Sequence, residues 1–273
     1  MPDAKDKPKA KKIPLSLEDE LKKCVKKSQS RIQQKYERQN VTWDVNNMDR
    51  SKRLQTFEYK TNAGTILRLK QGGEDVGGVV WTATIQFSKY LERRHEANCP
   101  CLKGLRVLEL GCGTGMVGII AGALGAKVTI TDLPHVAKRA AENVEINKES
   151  VRKGGGSVKA APFTWGDRKA EIVDVGEPAF DMILAAEVVY TKESADLFLD
   201  ALDHVFSDKK ISHESTELLL AGDQRGRVGR KALLKAAIEK YDVREIPSSE
   251  MDPKWISDNV QLHTIRPKSK ASS

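Results

Sequence analysis

The sequence predicts an α/β protein built on one mostly parallel sheet with helices on both faces, and three observations carry that prediction. From residue 105 onward, short β-branched or apolar runs alternate with helix-spaced segments, the pattern of parallel strands joined by crossover helices. The first run, Val107-Leu108-Glu109-Leu110, ends in Gly111-Cys112-Gly113-Thr114-Gly115. Glycines at alternate positions let the backbone turn hard and approach a ligand closely. The last two runs, 241–246 and 260–265, follow each other without a helix, which predicts a closing hairpin with one antiparallel strand.

Each element has its own signal. Residues 1–14, rich in Lys, Ala and Pro, supply no core and read as a disordered basic tail. Ser16-Leu17-Glu18-Asp19 resembles a capping box, and Leu17, Leu21, Val25, Ile32 and Tyr36 keep near-helical spacing, so residues 15–53 read as a helical extension. The main domain then covers 54–266, with 267–273 as a second tail. Alternating runs at 56–60 and 65–70, joined by Asn62-Ala63-Gly64, read as a hairpin. The glycine-rich stretch 72–78 frees a loop whose first large side chain is Trp81, and Ile85, Phe87, Tyr90 and Leu91 mark the helix after it.

Beyond the glycine loop, a helix over 116–124 stops at Gly125. A β-branched strand, 126–132, closes on Asp132, and a helix over 134–147 buries Val136, Ala140 and Val144 before a turn at Gly154-Gly155-Gly156. Strands at 158–164 and 180–187 end near Trp165 and at Glu187, with Tyr190 three residues on. A helix at 194–206, a strand at 217–221 and a helix at 229–240 lead to the closing pair.

At 273 residues and 39% hydrophobic, the chain buries one substantial core. No apolar run reaches bilayer length and no charged-then-apolar leader opens the sequence, which argues against a membrane partner and against secretion. Cys24, Cys99, Cys101 and Cys112 show no C-x-x-C spacing and the histidines no H-E-x-x-H, so a reduced cytoplasmic or nuclear setting without a metal is expected. Of the formal charge of +8, +6 sits in residues 1–12 and 266–273. The charge therefore marks solvated ends, and a basic nucleic-acid face is not indicated.

The glycine spacing lacks the G-x-G-x-x-G of dinucleotide sites and the Gly-Lys-Ser/Thr of phosphate loops. It looks like the first motif of S-adenosylmethionine-dependent methyltransferases, whose donor carries no phosphate. Asp132, 21 positions after Gly111, stands where a strand-end carboxylate grips ribose hydroxyls. The same residue would also serve as a helix N-cap. Trp81 and Trp165 are suited to covering an adenine or a sulfonium, and equally to packing at a core edge. Glu187 and Tyr190 share the carboxyl rim of the sheet with these residues. A carboxylate there accepts N–H bonds from an amine while a ring and hydroxyl fix its approach; the plainer role for Glu187 is a strand-end cap.

Taken together, Val80-Trp81, Glu109 through Gly115, Thr131-Asp132-Leu133, Thr164-Trp165-Gly166 and Glu187-Val188-Val189-Tyr190 resemble the seven-strand protein-lysine methyltransferases of methyltransferase family 16. Residues 75–81, 245–247 and 263–266 resemble the branch acting on an AAA ATPase of the valosin-containing protein type. The resemblance implies a Rossmann-like seven-stranded methyltransferase sheet, S-adenosyl-L-methionine as cofactor, and a protein substrate presenting a lysine, with an AAA ATPase as one candidate. It implies cofactor contacts at Trp81, Glu109, Gly111, Cys112, Gly113, Gly115, Asp132, Trp165 and Ala186, and places Glu187 and Tyr190 on a D-x-x-Y motif as catalytic residues. Glu187 replaces the usual Asp of that motif, and Thr82 stands where an Asp commonly follows the tryptophan. Nucleic acid is the weaker substrate class, since Glu187-Val188-Val189-Tyr190 has no proline and only 5% of residues are aromatic. A third reading, a cofactor-binding protein with weak turnover, rests on the two departures.

Overall fold

The computed structural model describes residues 56–72, 76–97, 101–167, 178–224 and 228–268. The expected tail at 1–14, the extension at 15–53 and residues 269–273 lie outside them. In chain order come β1 (Thr56–Lys60), β2 (Ile66–Lys70), α1 (Thr82–Glu96), β3 (Arg106–Leu110), α2 (Met116–Ala123), β4 (Lys127–Asp132), α3 (Pro134–Gly154), β5 (Ser157–Pro162), β6 (Phe180–Ala186), α4 (Lys192–Ser207), β7 (Ser212–Asp223), α5 (Val228–Lys240), β8 (Tyr241–Glu245) and β9 (Val260–Pro267).

Seven of these strands form one sheet in the order β5-β4-β3-β6-β7-β9-β8. Pairing is parallel from β5 to β7, and β9 runs antiparallel to both of its neighbours. The expected closing hairpin with one reversed strand is therefore present. The winding direction changes at β3, between β4 and β6, so the crevice beyond its carboxyl end is the place where this topology leaves room for a ligand. Side chains alternate faces along each strand. Leu108, Leu110, Ile183 and Leu220 point to Phe198 and Leu202 of α4 and Leu233 of α5. Val107, Met182, Leu184 and Leu219 meet Phe87 and Leu91 of α1, Val117 of α2 and Ala140 of α3 on the other face.

The β1–β2 hairpin is a separate antiparallel pair that buries Phe57, Tyr59, Leu67 and Leu69 against Ile85, Met116, Ile119 and Ile120. Its outer edge is closed by side chains of a helix. Asn147 accepts from the Arg68 amide (2.8 Å) and donates to the Arg68 carbonyl (2.7 Å); Asn143 repeats the pattern at Lys70 (2.7 and 3.1 Å). Four residues of helix rise about 6.0 Å and two residues of strand about 6.7 Å, so the two amides match two backbone rungs. Under the hairpin turn, Lys89 and Glu92 pair at 2.7 Å, both almost wholly buried. Every polar group there has partners: Lys89 donates to the Lys60 carbonyl and Asn62, while Glu92 accepts from the Tyr59 hydroxyl and the Asn62 amide.

Two expectations need correction. The helix expected to end near residue 147 runs to Gly154, because that glycine lets it cross the end of α2: a Cβ there would lie 1.9 Å from the Ala123 carbonyl oxygen. Gly155, at φ 81°, is the left-handed stop. β7 begins at Ser212, five residues before the apolar run, where Thr216 bonds the Phe180 carbonyl at 2.6 Å. Of the glycine-rich stretch 72–78, residues 73–75 lie outside the described residues; at its two ends the Gly72 amide bonds the Gly78 carbonyl at 2.9 Å and Gly77 packs on Gly113.

Lys89→Met leaves the Glu92 charge buried without its cation, so chemical denaturation should record a loss of about 3–5 kcal/mol. Breaking the exposed Glu58–Arg68 pair by Glu58→Gln should change stability by less than about 1 kcal/mol. Equal losses in the two variants would contradict this account of the hairpin's anchor.

Candidate functional site

The loop after β3 is held by the end of β4. The amides of Gly111 and Cys112 both donate to the Thr131 carbonyl at 2.9 Å, and the Thr131 hydroxyl returns a bond to the Glu109 carbonyl at 2.7 Å. Asp132 accepts from the Gly113 amide through Oδ2 (2.8 Å) and from the Leu133 amide through Oδ1 (2.7 Å). Gly111 and Gly113 take φ of 71° and 55°, and a Cβ would lie 2.7 Å from Val188 Cγ1 and 3.0 Å from the Gly77 oxygen respectively. Both positions therefore require glycine for conformation and for space.

Around this loop lies a cavity of about 340 Å³ at the sheet's carboxyl rim. Trp81, Glu109, Gly111, Cys112, Gly113, Asp132, Trp165, Ala186, Glu187 and Tyr190, all sequence-predicted, line it. Gly115 does not. It caps α2 at φ 79°, and a Cβ there would lie 2.9 Å from Ile130 Cδ1, so its place is in helix packing behind the cavity. The N-cap of α3 is Leu133 with no side-chain cap, so Asp132 holds the glycine loop instead of capping that helix.

The two tryptophans both pack and line. Trp81, 6% exposed, donates from Nε1 to the Val76 carbonyl at 3.2 Å and tilts 50° against Tyr190, ring centroids 6.2 Å apart. Trp165 stands edge-on to Phe198 at 5.2 Å, with its six-membered ring against Gly111. Thr191 and Ser194 form a reciprocal capping box for α4, which fixes the chain just after Tyr190.

Glu187 is the one described non-glycine residue with positive φ, at 57°. For such a side chain this backbone costs about 1–3 kcal/mol and persists only when its surroundings impose it. They do: the Glu187 amide donates to the Ala221 carbonyl at 3.0 Å, and its Oε1 accepts from the Asp223 amide at 2.6 Å. Both bonds tie the tip of β6 to the tip of β7. Glu109, 1% exposed, accepts from the Gly118 amide at 3.0 Å. Burial pushes its carboxyl up to about 8, opposed by the Gly118 bond and reinforced by Asp132.

Some of the lining carried no sequence assignment. Val76, Gly77 and Val79 form a wall, Thr84 adds to it from α1, and His135 and Leu197 line it from α3 and α4. The paired glycines at 77–78 were the available signal for the wall; nothing in the sequence marks Asp223 as the residue that holds Glu187. Among the described residues, no group of three or more His, Cys, Asp or Glu side chains is placed to hold a metal ion.

A family model described as lysine methyltransferase matches residues 61–235, a span that takes in every residue lining the cavity. The chain belongs to the lysine methyltransferase family. Similar relatives include the protein N-lysine methyltransferase METTL21A of Danio rerio, 34% identical over 72% of this chain and 84% of that protein. METTL21A of Mus musculus is 36% identical over 59% of this chain and 69% of its own. The EEF1A lysine methyltransferase 3 of Mus musculus is 33% identical over 70% and 72%. In this lysine methyltransferase the matched region runs from the hairpin turn through β2 and the five parallel strands β3 to β7, and stops before β8 and β9.

Folded Glu109 holds its proton up to about pH 8, whereas an unfolded glutamate releases it near 4.5. Stability contributed by the protonated form is therefore lost as pH rises between those values. Glu109→Gln keeps an acceptor for the Gly118 amide and removes the titration. It should flatten the fall in thermal midpoint between pH 6 and 8.5 and gain on the order of 2 kcal/mol at the upper end. A variant with the wild-type pH slope would exclude Glu109 as its source.

Proposed function

We propose that this chain transfers a methyl group from S-adenosylmethionine to the side-chain nitrogen of a lysine in a protein. The observation that carries the reading is a single cavity in which a glycine cradle and a ribose-type carboxylate meet Trp81, Glu187 and Tyr190. The residues fit the donor. A Cβ at Gly111 or Gly113 would strike the cradle's walls, and among the described residues no lysine or arginine side chain lines the cavity to meet a phosphate. Asp132, its two oxygens fixed by backbone amides, would hold the ribose hydroxyls. Trp81 and Trp165 would cover the adenine and the positive sulfur, with Gly111, Cys112, Gly113 and Ala186 in backbone contact and Glu109 beneath. When bound, S-adenosylmethionine supplies an electrophilic methyl group.

The remaining work falls to the protein. A free lysine has a pKa of about 10.4 and attacks only after losing a proton. Burial beside a sulfonium favours the neutral amine, while a carboxylate favours the ammonium. Glu187 therefore serves first to orient the nitrogen through N–H bonds, and Tyr190, leaning on Trp81, limits its approach. Alignment and exclusion of water supply the rate. The relatives' names support a protein acceptor: METTL21A is called a protein N-lysine methyltransferase, and another relative an EEF1A lysine methyltransferase. An AAA ATPase of the valosin-containing protein type belongs in the acceptor panel on the strength of residues 75–81, 245–247 and 263–266.

Incubation with isotopically labelled S-adenosylmethionine in a lysate and in that panel should label a protein band, and mass spectrometry should find the methyl groups on lysine. Label confined to RNA or to metabolites would overturn the proposal. Glu187→Gln should bind S-adenosylmethionine with unchanged affinity by calorimetry and lose label transfer by about 10²-fold or more. Full transfer by that variant would remove Glu187 from the reaction.

A further inference from the structure

We propose that Thr84 and Thr114 hold the amino-acid tail of S-adenosylmethionine through their two buried hydroxyls. The inference rests on the donor reading given above and completes it. There Asp132 meets the ribose, and the tryptophans meet the adenine and the sulfur. The carboxylate and ammonium of the tail still need partners.

Thr114 follows Gly113 in the glycine loop, and Thr84 lies in the first turn of α1, three residues after Trp81 and so on the same face. Both line the donor cavity, and they are 3% and 8% exposed. Their main chains are anchored. The Thr114 carbonyl accepts from Asn143 at 2.9 Å, and the Thr84 carbonyl accepts from the Ser88 hydroxyl at 2.8 Å. Their hydroxyls differ in this respect: among the described residues neither has a hydrogen-bond partner. Buried polar groups in folded proteins are nearly always bonded, because withdrawing one from water without a partner is unfavourable. Two such hydroxyls on one cavity therefore point to a polar ligand.

The chemistry of the surroundings selects the part of the donor. A hydroxyl both donates and accepts, so a pair of them suits a group that carries a carboxylate and an ammonium together. Among the described residues the cavity lining includes no lysine or arginine, and the carboxylate is left to neutral donors. The opening of α2 adds to these. Its N-cap is Gly115, with no side-chain cap, and Val117 of its first turn lines the cavity. The partial positive charge at such a helix end favours a carboxylate. The two walls also meet: a Cβ at Gly113 would lie 3.0 Å from the Gly77 oxygen, and Trp81 bonds the neighbouring Val76 carbonyl at 3.2 Å.

The test is calorimetry with two thioethers. S-adenosylhomocysteine keeps the tail, whereas methylthioadenosine has the same adenosine and sulfur with a methyl group in its place. Neither carries a sulfonium charge, so the difference between them isolates the tail. The wild type should bind S-adenosylhomocysteine at least about tenfold more tightly. Thr84→Val and Thr114→Val keep the side-chain shape and remove the hydroxyl. Each should lose about tenfold in affinity for S-adenosylhomocysteine and stay within about twofold for methylthioadenosine. Thr84→Ser, which keeps the hydroxyl, should stay within about threefold of the wild type for both ligands. Equal losses for the two ligands, or no loss for S-adenosylhomocysteine, would overturn the proposal. If a valine variant fails to fold, the wild-type preference still decides, since equal affinities for the two ligands would exclude a tail contact. A wild-type protein that binds neither ligand would instead sink the donor reading itself.

Discussion

The bond between the Asp132 carboxylate and the Gly113 amide is the constraint on which the rest of the site depends. A loop of glycines has little reason to hold one shape, since its residues lose the most conformational freedom on ordering. Here the adjacent strand imposes the shape from outside. Thr131 takes two loop amides on one carbonyl, and Asp132 takes a third on its side chain. The carboxylate that fixes the cradle is also the group presented to whatever lies in it. Anything that weakened Asp132 as an acceptor would loosen both at once.

The acids of the site meet different surroundings. Glu109 lies under α2 with one amide to bond and is driven toward its neutral form. Asp132 bonds two amides and is half-buried. Glu187 is buried in a left-handed backbone tied to β7 through Ala221 and Asp223. Three carboxyl groups thus line one cavity in three different settings.

The sheet and most of the cavity were legible in the sequence because both depend on local pattern. Alternating apolar runs, a glycine loop after an acidic strand and a carboxylate ending the next strand each declare themselves within a dozen residues. What was not legible depends on contacts distant in sequence. Gly154 looked like a breaker because its use, passage across the Ala123 carbonyl, lies on another helix. Gly115 shares the spacing of its neighbours and differs only in facing Ile130. The left-handed turn at Glu187 has no glycine or asparagine to announce it, and the residue responsible sits 36 positions later in the chain. The polar opening of β7 reads as loop until its partner at Phe180 is known.

The asparagines of α3 have a wider consequence for how this protein is assembled. Asn143 reaches the edge of the hairpin with one hand and the Thr114 carbonyl of the glycine loop with the other, so front piece and cradle share a single connector. Because that connector reads only main-chain atoms of β2, it is indifferent to which side chains the hairpin displays outward. The hairpin is thus an interchangeable faceplate: its surface is at liberty to be rewritten, by drift or by design, while the socket behind it stays the same.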